Sequence, residues 1–180
     1  MKAVLFYFSG TGNALWAARQ VSVGLGGAEV VPMVAPQAVD ACRDVDMVGL
    51  FFPVHIWGVP GRVLRFVEEI VAALSPEAYL FAVAVNGGQV SGTLLQLNAF
   101  CRRRNRVLHQ GLGLHLPSNY LPWGGAGSPE VVDGLIAAAR EKIHSWIPSL
   151  RERQQAPPER GPLWQRLLFT GIYHLSFKQV

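Results

Sequence analysis

Apolar residues gather along this chain in five short blocks, and each block is followed by a polar or glycine-containing turn. Residues 3–8, 28–34, 46–53, 79–85 and 106–116 are runs with few interior polar positions, the last broken by Gly111 and Gly113. Such runs predict strands covered on both faces, because a half-exposed strand would alternate apolar and polar residues instead. Between the blocks the spacing becomes helical. Ala14, Leu15, Trp16, Ala17, Ala18 and Val21 predict a helix over residues 13–25, stopped by Gly26 and Gly27. Val63, Leu64, Phe66, Val67, Ile70 and Val71 predict a second from Pro60 to about Leu74. A third is expected from a Ser91 cap through Leu94, Leu95, Leu97 and Phe100 to Arg104. In the last, Ser128 is the expected cap and Glu130 lies in the first turn. Val131, Val132, Leu135, Ile136, Ala139, Ile143 and Ile147 fall on one face, and Pro148 is expected to end or kink it. Residues 36–43 form a polar connection with room for one short helix.

Strands alternating with helices predict an α/β fold: a three-layer, doubly wound, five-stranded parallel sheet. The strand order expected is 2-1-3-4-5, with ligands held outside the carboxyl ends of the strands where strands one and three part. Residues 9–14, 54–60, 86–92 and 117–127 fall on that rim, whereas the Arg102–Arg106 basic cluster enters the fifth strand at the opposite edge.

The stretch Ser9-Gly10-Thr11-Gly12-Asn13-Ala14 carries the clearest chemistry. A strand, a glycine-rich turn and a helix start in that order leave backbone N–H groups unpaired, and the helix dipole adds partial positive charge. Gly10 and Gly12 admit a ligand close to the main chain, and Ser9, Thr11 and Asn13 add side-chain donors. The loop has neither the lysine of GxxxxGK[ST] nor the third glycine of GxGxxG, so neither a magnesium-bound triphosphate nor a dinucleotide is expected. A single terminal phosphate held without metal suits it.

These residues, Phe8-Ser9-Gly10-Thr11-Gly12-Asn13, resemble the phosphate loop of the flavodoxin family, with Ala14 where the family usually has a last hydroxyl. The resemblance implies FMN as cofactor. It also gives meaning to Pro53-Val54-His55-Ile56-Trp57-Gly58, since the loop after strand three of flavodoxins supplies an aromatic face for the flavin and a glycine peptide beside it. Trp57 then stacks on the flavin, or else anchors its loop in the core. Asn86, Gly87, Gly88 and Gln89 occupy the second flavin loop, where exposed N–H groups would meet the pyrimidine edge; an ordinary strand–helix connection is the alternative. The Asn119-Tyr120 pair after the fifth strand is similar to that of flavodoxin domains fused to ferredoxin modules, the group this chain most resembles over residues 1–150. Tyr120 and Trp123 either close over the flavin or bury a long loop.

Composition narrows the function further. The 180 residues are 50% hydrophobic, enough for one domain with a substantial core. No apolar run reaches the ~18 residues of a membrane span, and the N-terminal apolar run passes directly into the glycine loop, unlike a signal peptide. The expected location is the cytoplasm. Net charge is +4. Nucleic acid is not the expected partner, because the Arg102, Arg103, Arg104 and Arg106 cluster closes a helix, where cations are favoured structurally. Cys42 and Cys101 stand far apart with no CxxC, so neither a disulfide framework nor an iron–sulfur or other metal site is expected. His55, His109, His115, His144 and His174 assemble into no catalytic set by spacing. The chain therefore reads as an FMN-binding electron-transfer protein, with a flavin-dependent NAD(P)H or quinone reductase and a cofactor-free interaction module as alternatives. Residues 1–150 are expected to form the FMN domain, 151–160 a linker and 161–180 an apolar tail. Trp164, Leu167, Leu168, Ile172 and Leu175 of the tail fit one helix face. That helix folds back on the body or docks a redox partner such as a ferredoxin or iron–sulfur module.

Overall fold

The computed structural model describes residues 2–121 and 124–165. Five strands run β1 (Ala3–Tyr7), β2 (Glu29–Pro32), β3 (Met47–Pro53), β4 (Tyr79–Asn86) and β5 (Gln110–His115), with helices α1 (Asn13–Gly24), α2 (Gly61–Val71), α3 (Thr93–Arg102) and α4 (Pro129–Arg151). A single turn of 3-10 helix at Asp40–Cys42 is all that forms in the connection after β2. The strands make one parallel sheet in the order β2-β1-β3-β4-β5, as the alternation of patterns predicts.

Strand periodicity explains the two cores. Phe6, Leu50, Phe52, Leu80 and Ala82 point to one face and meet Val63, Phe66 and Ile70 of α2 with Leu94 and Leu97 of α3. Leu5, Phe51, Phe81, Val83 and Leu112 point to the other, against Ala14, Ala17, Ala18 and Val21 of α1 and Ile143 and Ile147 of α4. On the first face Phe6 and Phe66 lie 4.9 Å apart between ring centroids. On the second, Phe81 meets Phe51 edge-on at 5.9 Å and Trp146 at 5.5 Å. Both thiols are buried, and burial pushes Cys42 up to about 12 and Cys101 to about 11, so neither is a nucleophile near neutral pH.

Three sequence expectations are corrected. β5 begins at Gln110 rather than Arg106, because the Arg106 guanidinium turns back to the carbonyls of Val71, Leu74 and Ser75 at the end of α2. Arg104 is engaged too, 2.6 Å from Glu68 and stacked over Phe100, so these two arginines of the cluster serve the ends of α2 and α3 at the amino-terminal side of the sheet. Ser91 does not cap α3. It is buried at φ 47°, and Gly92 is the N-cap. Finally, Pro148, expected to end or kink α4, does not end it: the helix continues to Arg151. Proline removes one N–H donor, yet Ile147 and Leu150 are buried and Arg151 donates to the Gly24 carbonyl at 3.0 and 2.6 Å. Burial and that clamp outweigh the missing bond.

After α4 the chain returns along the outer edge of β5. Ala156 N donates to His109 O, Glu159 N to Gly111 O, and Gly161 N to Ser91 O. Glu159 Oε2 accepts from both Gly113 N and Lys142 Nζ at 2.9 Å, and Lys142 also donates to Gly113 O. A side-chain pair thus satisfies both backbone groups of Gly113 on an edge that would otherwise invite pairing with another chain. Gly111 lets this segment approach: a Cβ there would stand 3.0 Å from Pro158 Cβ. The helix expected over the tail, like Trp123, falls on residues outside those described, apart from the exposed Leu163 and Trp164 at its start. Among the described residues no helix is long and apolar enough to cross a membrane.

Candidate functional site

The residues singled out from the sequence lie at or just after the carboxyl ends of β1, β3, β4 and β5, at positions 9–14, 53–58, 86–88 and 119–120. After β1 the chain turns at Gly12, which is at φ 94° and serves as N-cap of α1 without any side-chain cap. A residue with a side chain would be strained in that conformation. Ser9 Oγ accepts from Gly12 N at 3.0 Å, which folds the loop onto itself. Gly10, Thr11 and Gly12 are exposed, and open space surrounds both glycine Cα atoms. Ala14 already packs into the core beneath. Asn13 has a role that local sequence does not reveal: its Nδ2 donates to Pro117 O at 2.9 Å, tying this loop to the one after β5.

Pro53 is the last residue of β3, and Val54 N donates to Val85 O. His55 and Gly58 then exchange backbone bonds at 3.0 and 2.9 Å, closing a two-residue hairpin over Ile56 and Trp57. Both central residues have positive φ, 45° and 59°. Turns of this kind favour Asn and Gly there; a β-branched isoleucine and a tryptophan hold the shape only under constraint from their surroundings. Two such constraints are visible. Trp57 Nε1 donates to Gln89 Oε1 at 2.7 Å, and Val59 N donates to Gln96 Oε1 at 2.8 Å. Gln96, on α3, is a site residue that no sequence signal marks.

The third loop is shaped by Asn86, whose Oδ1 accepts from Gly88 N at 2.9 Å while its backbone oxygen accepts from Leu116 N. Gly88 is at φ 121°. Gly87 faces Ser118, where an added Cβ would come within 3.2 Å, so this loop lies directly against the fourth. There Asn119 and Tyr120 are exposed, and Tyr120 N donates to Ser118 Oγ. The four loops are therefore linked in a ring: 9–13 to 117 through Asn13, 117–120 to 86–88 through Gly87, 86–92 to 54–59 through Trp57, and 54–59 back to the end of β1 through the edge contact of His55 with Phe8. A cavity of about 270 Å³ opens beside this ring rather than inside it, lined by Asn86, Gly88 and His115 on the rim side and by Leu135, Lys142 and Glu159 on the α4 side. Among the described residues no cluster of three or more His, Cys, Asp or Glu exists to hold a metal.

His55 is exposed, with its ring set edge-on to Phe8 at 6.2 Å between centroids, and partial desolvation on that side lowers its pKa below the ordinary 6.5. The fold thus favours the neutral imidazole, and the unfolded chain binds the proton more readily. Stability from this site is present above about pH 6.5 and is lost as pH falls below it. His55→Gln is expected to lose less stability than the wild type on going from about pH 7.5 to about pH 5, read from urea midpoints. Equal losses would show that His55 does not couple folding to protonation.

No family model matches the sequence, and no curated protein matches it. Solved structures do. A flavodoxin from the Archaea superposes at TM-score 0.57 with 12% identity, covering 82% of this chain and 99% of its own. The fold is flavodoxin-like. A flavodoxin variant from Fusobacterium nucleatum, bound to flavin mononucleotide, gives 0.57 at 9% identity, covering 86% of this chain and 97% of its own. The flavodiiron core of Synechocystis gives 0.60 at 11% identity, over 86% of this chain and 37% of that one.

Proposed function

We propose that the chain binds FMN on this rim and works as an electron-transfer flavoprotein, exchanging electrons with a redox partner protein. The observation that carries the reading is the start of α1: a helix N-terminus with no side-chain cap, reached through exposed Gly10, Thr11 and Gly12 and flanked by two hydroxyls. A phosphate there would accept the backbone N–H groups and meet the positive end of the helix dipole. Trp57 and Gly58 stand across the rim, and the loops 54–60 and 86–92 contain no Asp, Glu, Lys or Arg. An uncharged pocket wall with one large aromatic suits a planar, mostly apolar ring system.

When bound, FMN supplies one- and two-electron redox chemistry. The residues of this chain would bind and orient it. Ser9 and Thr11 would donate to the phosphate and Trp57 would stack on the ring. Asn86, Gly87 and Gly88 would face the polar edge of the ring, with Asn119 and Tyr120 on the outer side. The assignment is tested by titrating FMN and riboflavin into wild-type protein and into Ser9→Ala and Thr11→Val variants. FMN affinity is expected to fall about tenfold or more, as for the loss of a charge-assisted hydrogen bond, with riboflavin nearly unchanged. Equal losses for the two ligands would reject the phosphate site, and absence of binding by the wild type would reject the flavin.

A further inference from the structure

Trp57 and Gln89 lie on different loops, 32 residues apart in the chain, yet the indole N–H of one meets the amide oxygen of the other at 2.7 Å in a half-buried setting. We propose that Gln89 is a positioning residue for the aromatic wall of this rim: by accepting the only polar hydrogen of the indole, it sets the plane in which Trp57 presents its ring. The ligand that stacks there is the FMN of the reading above, on which this inference rests; the bond itself belongs to the chain.

Three features converge on it. The Trp57 backbone is in the left-handed region at φ 59°, next to Ile56 at 45°, so the hairpin holds its shape against intrinsic preference. The main chain of that hairpin is secured separately, by the paired His55–Gly58 bonds and by Gln96 on Val59 N. Orientation of the ring is a further degree of freedom, and the Nε1–Oε1 bond acts on it. An indole has one donor and no acceptor, so a ring turned away from Gln89 would leave that donor without this acceptor, at a cost when half-buried. The same bond joins the loop after β3 to the loop after β4, which fixes the ring relative to both sides of the rim. A planar ligand gains most from an aromatic already held in its stacking orientation.

The test uses the full chain with Gln89→Leu, which removes the acceptor, and Gln89→Glu, which keeps an acceptor oxygen. The first readout needs no ligand: the near-ultraviolet circular dichroism band that disappears in Trp57→Phe. The second is FMN affinity. Gln89→Leu is expected to lose the Trp57 band and to weaken FMN about three- to tenfold, the worth of one neutral hydrogen bond. Gln89→Glu is expected to retain both, and Gln89→Leu added to Trp57→Phe should produce no further loss. Retention of the band and of affinity in Gln89→Leu would overturn the proposal. So would equal loss in the Leu and Glu variants, or an undiminished effect in the Trp57→Phe background. Should Gln89→Leu fail to fold, Gln89→Ser removes the reach to Nε1 and carries the same comparison. If the wild type binds no FMN, the functional reading falls, while the circular dichroism arm still decides whether Gln89 sets the ring.

Discussion

Gly49→Val is expected to cost about 3 kcal/mol or more of folding stability, and to leave little folded protein if the starting stability is modest. Gly49 sits in the middle of β3, the central strand, between two large rings. A Cβ built there would stand 2.5 Å from Phe81 Cζ, 2.8 Å from Leu5 Cδ2 and 2.9 Å from Phe51 Cε2. All three neighbours are fully buried, at 0% exposure, so none can swing out to solvent. Relief would have to come from moving the strand or breaking the edge-on Phe51–Phe81 pair. Close-packed interiors resist both. Urea unfolding of Gly49→Ala and Gly49→Val reads the effect, with the larger residue costing more. A valine variant as stable as the wild type would mean that this face is not packed as described.

Trp57→Ala is expected to weaken FMN binding by about 1–3 kcal/mol, roughly ten- to a hundredfold, from lost stacking and lost apolar burial. The fold should survive, because Trp57 is on the rim and belongs to neither core cluster. The Trp57–Gln89 bond is lost with it, a local cost at one loop, so the unfolding midpoint is expected to change less than the affinity. A fluorescence titration beside a thermal melt separates the two. Unchanged affinity, with unchanged flavin absorption on binding, would show that the ring is not part of the flavin site.

Much of the architecture is legible locally. Apolar blocks such as those around Leu50 and Val83 announce buried strands because a parallel sheet covered on both faces needs continuous hydrophobicity, and the helical spacing of Val63, Phe66, Val67 and Ile70 marks a buried stripe by the same logic. Boundaries are less legible. The run toward Leu116 looks uniform from Arg106 onward, but strand pairing starts where β4 offers Phe81 as partner to Gln110. Ser91 has the composition of a cap, yet its carbonyl is taken by Gly161, seventy residues later, and its backbone is drawn into the left-handed region.

By itself the sequence determined the alternation of strands and helices, the two apolar faces of the sheet, and a glycine-rich turn at the end of the first strand. Each depends on residues within a few positions of one another. Only the tertiary structure decided that Asn13 reaches Pro117, that Trp57 reaches Gln89, that Gln96 holds Val59, and that the segment after α4 closes the edge of β5 through Glu159 and Lys142. The first three of those contacts join residues 104, 32 and 37 positions apart. A hydrogen bond needs its partners within about 3 Å, and whether two distant loops come that close depends on strand order and register. Neither is carried by the composition of the loops themselves.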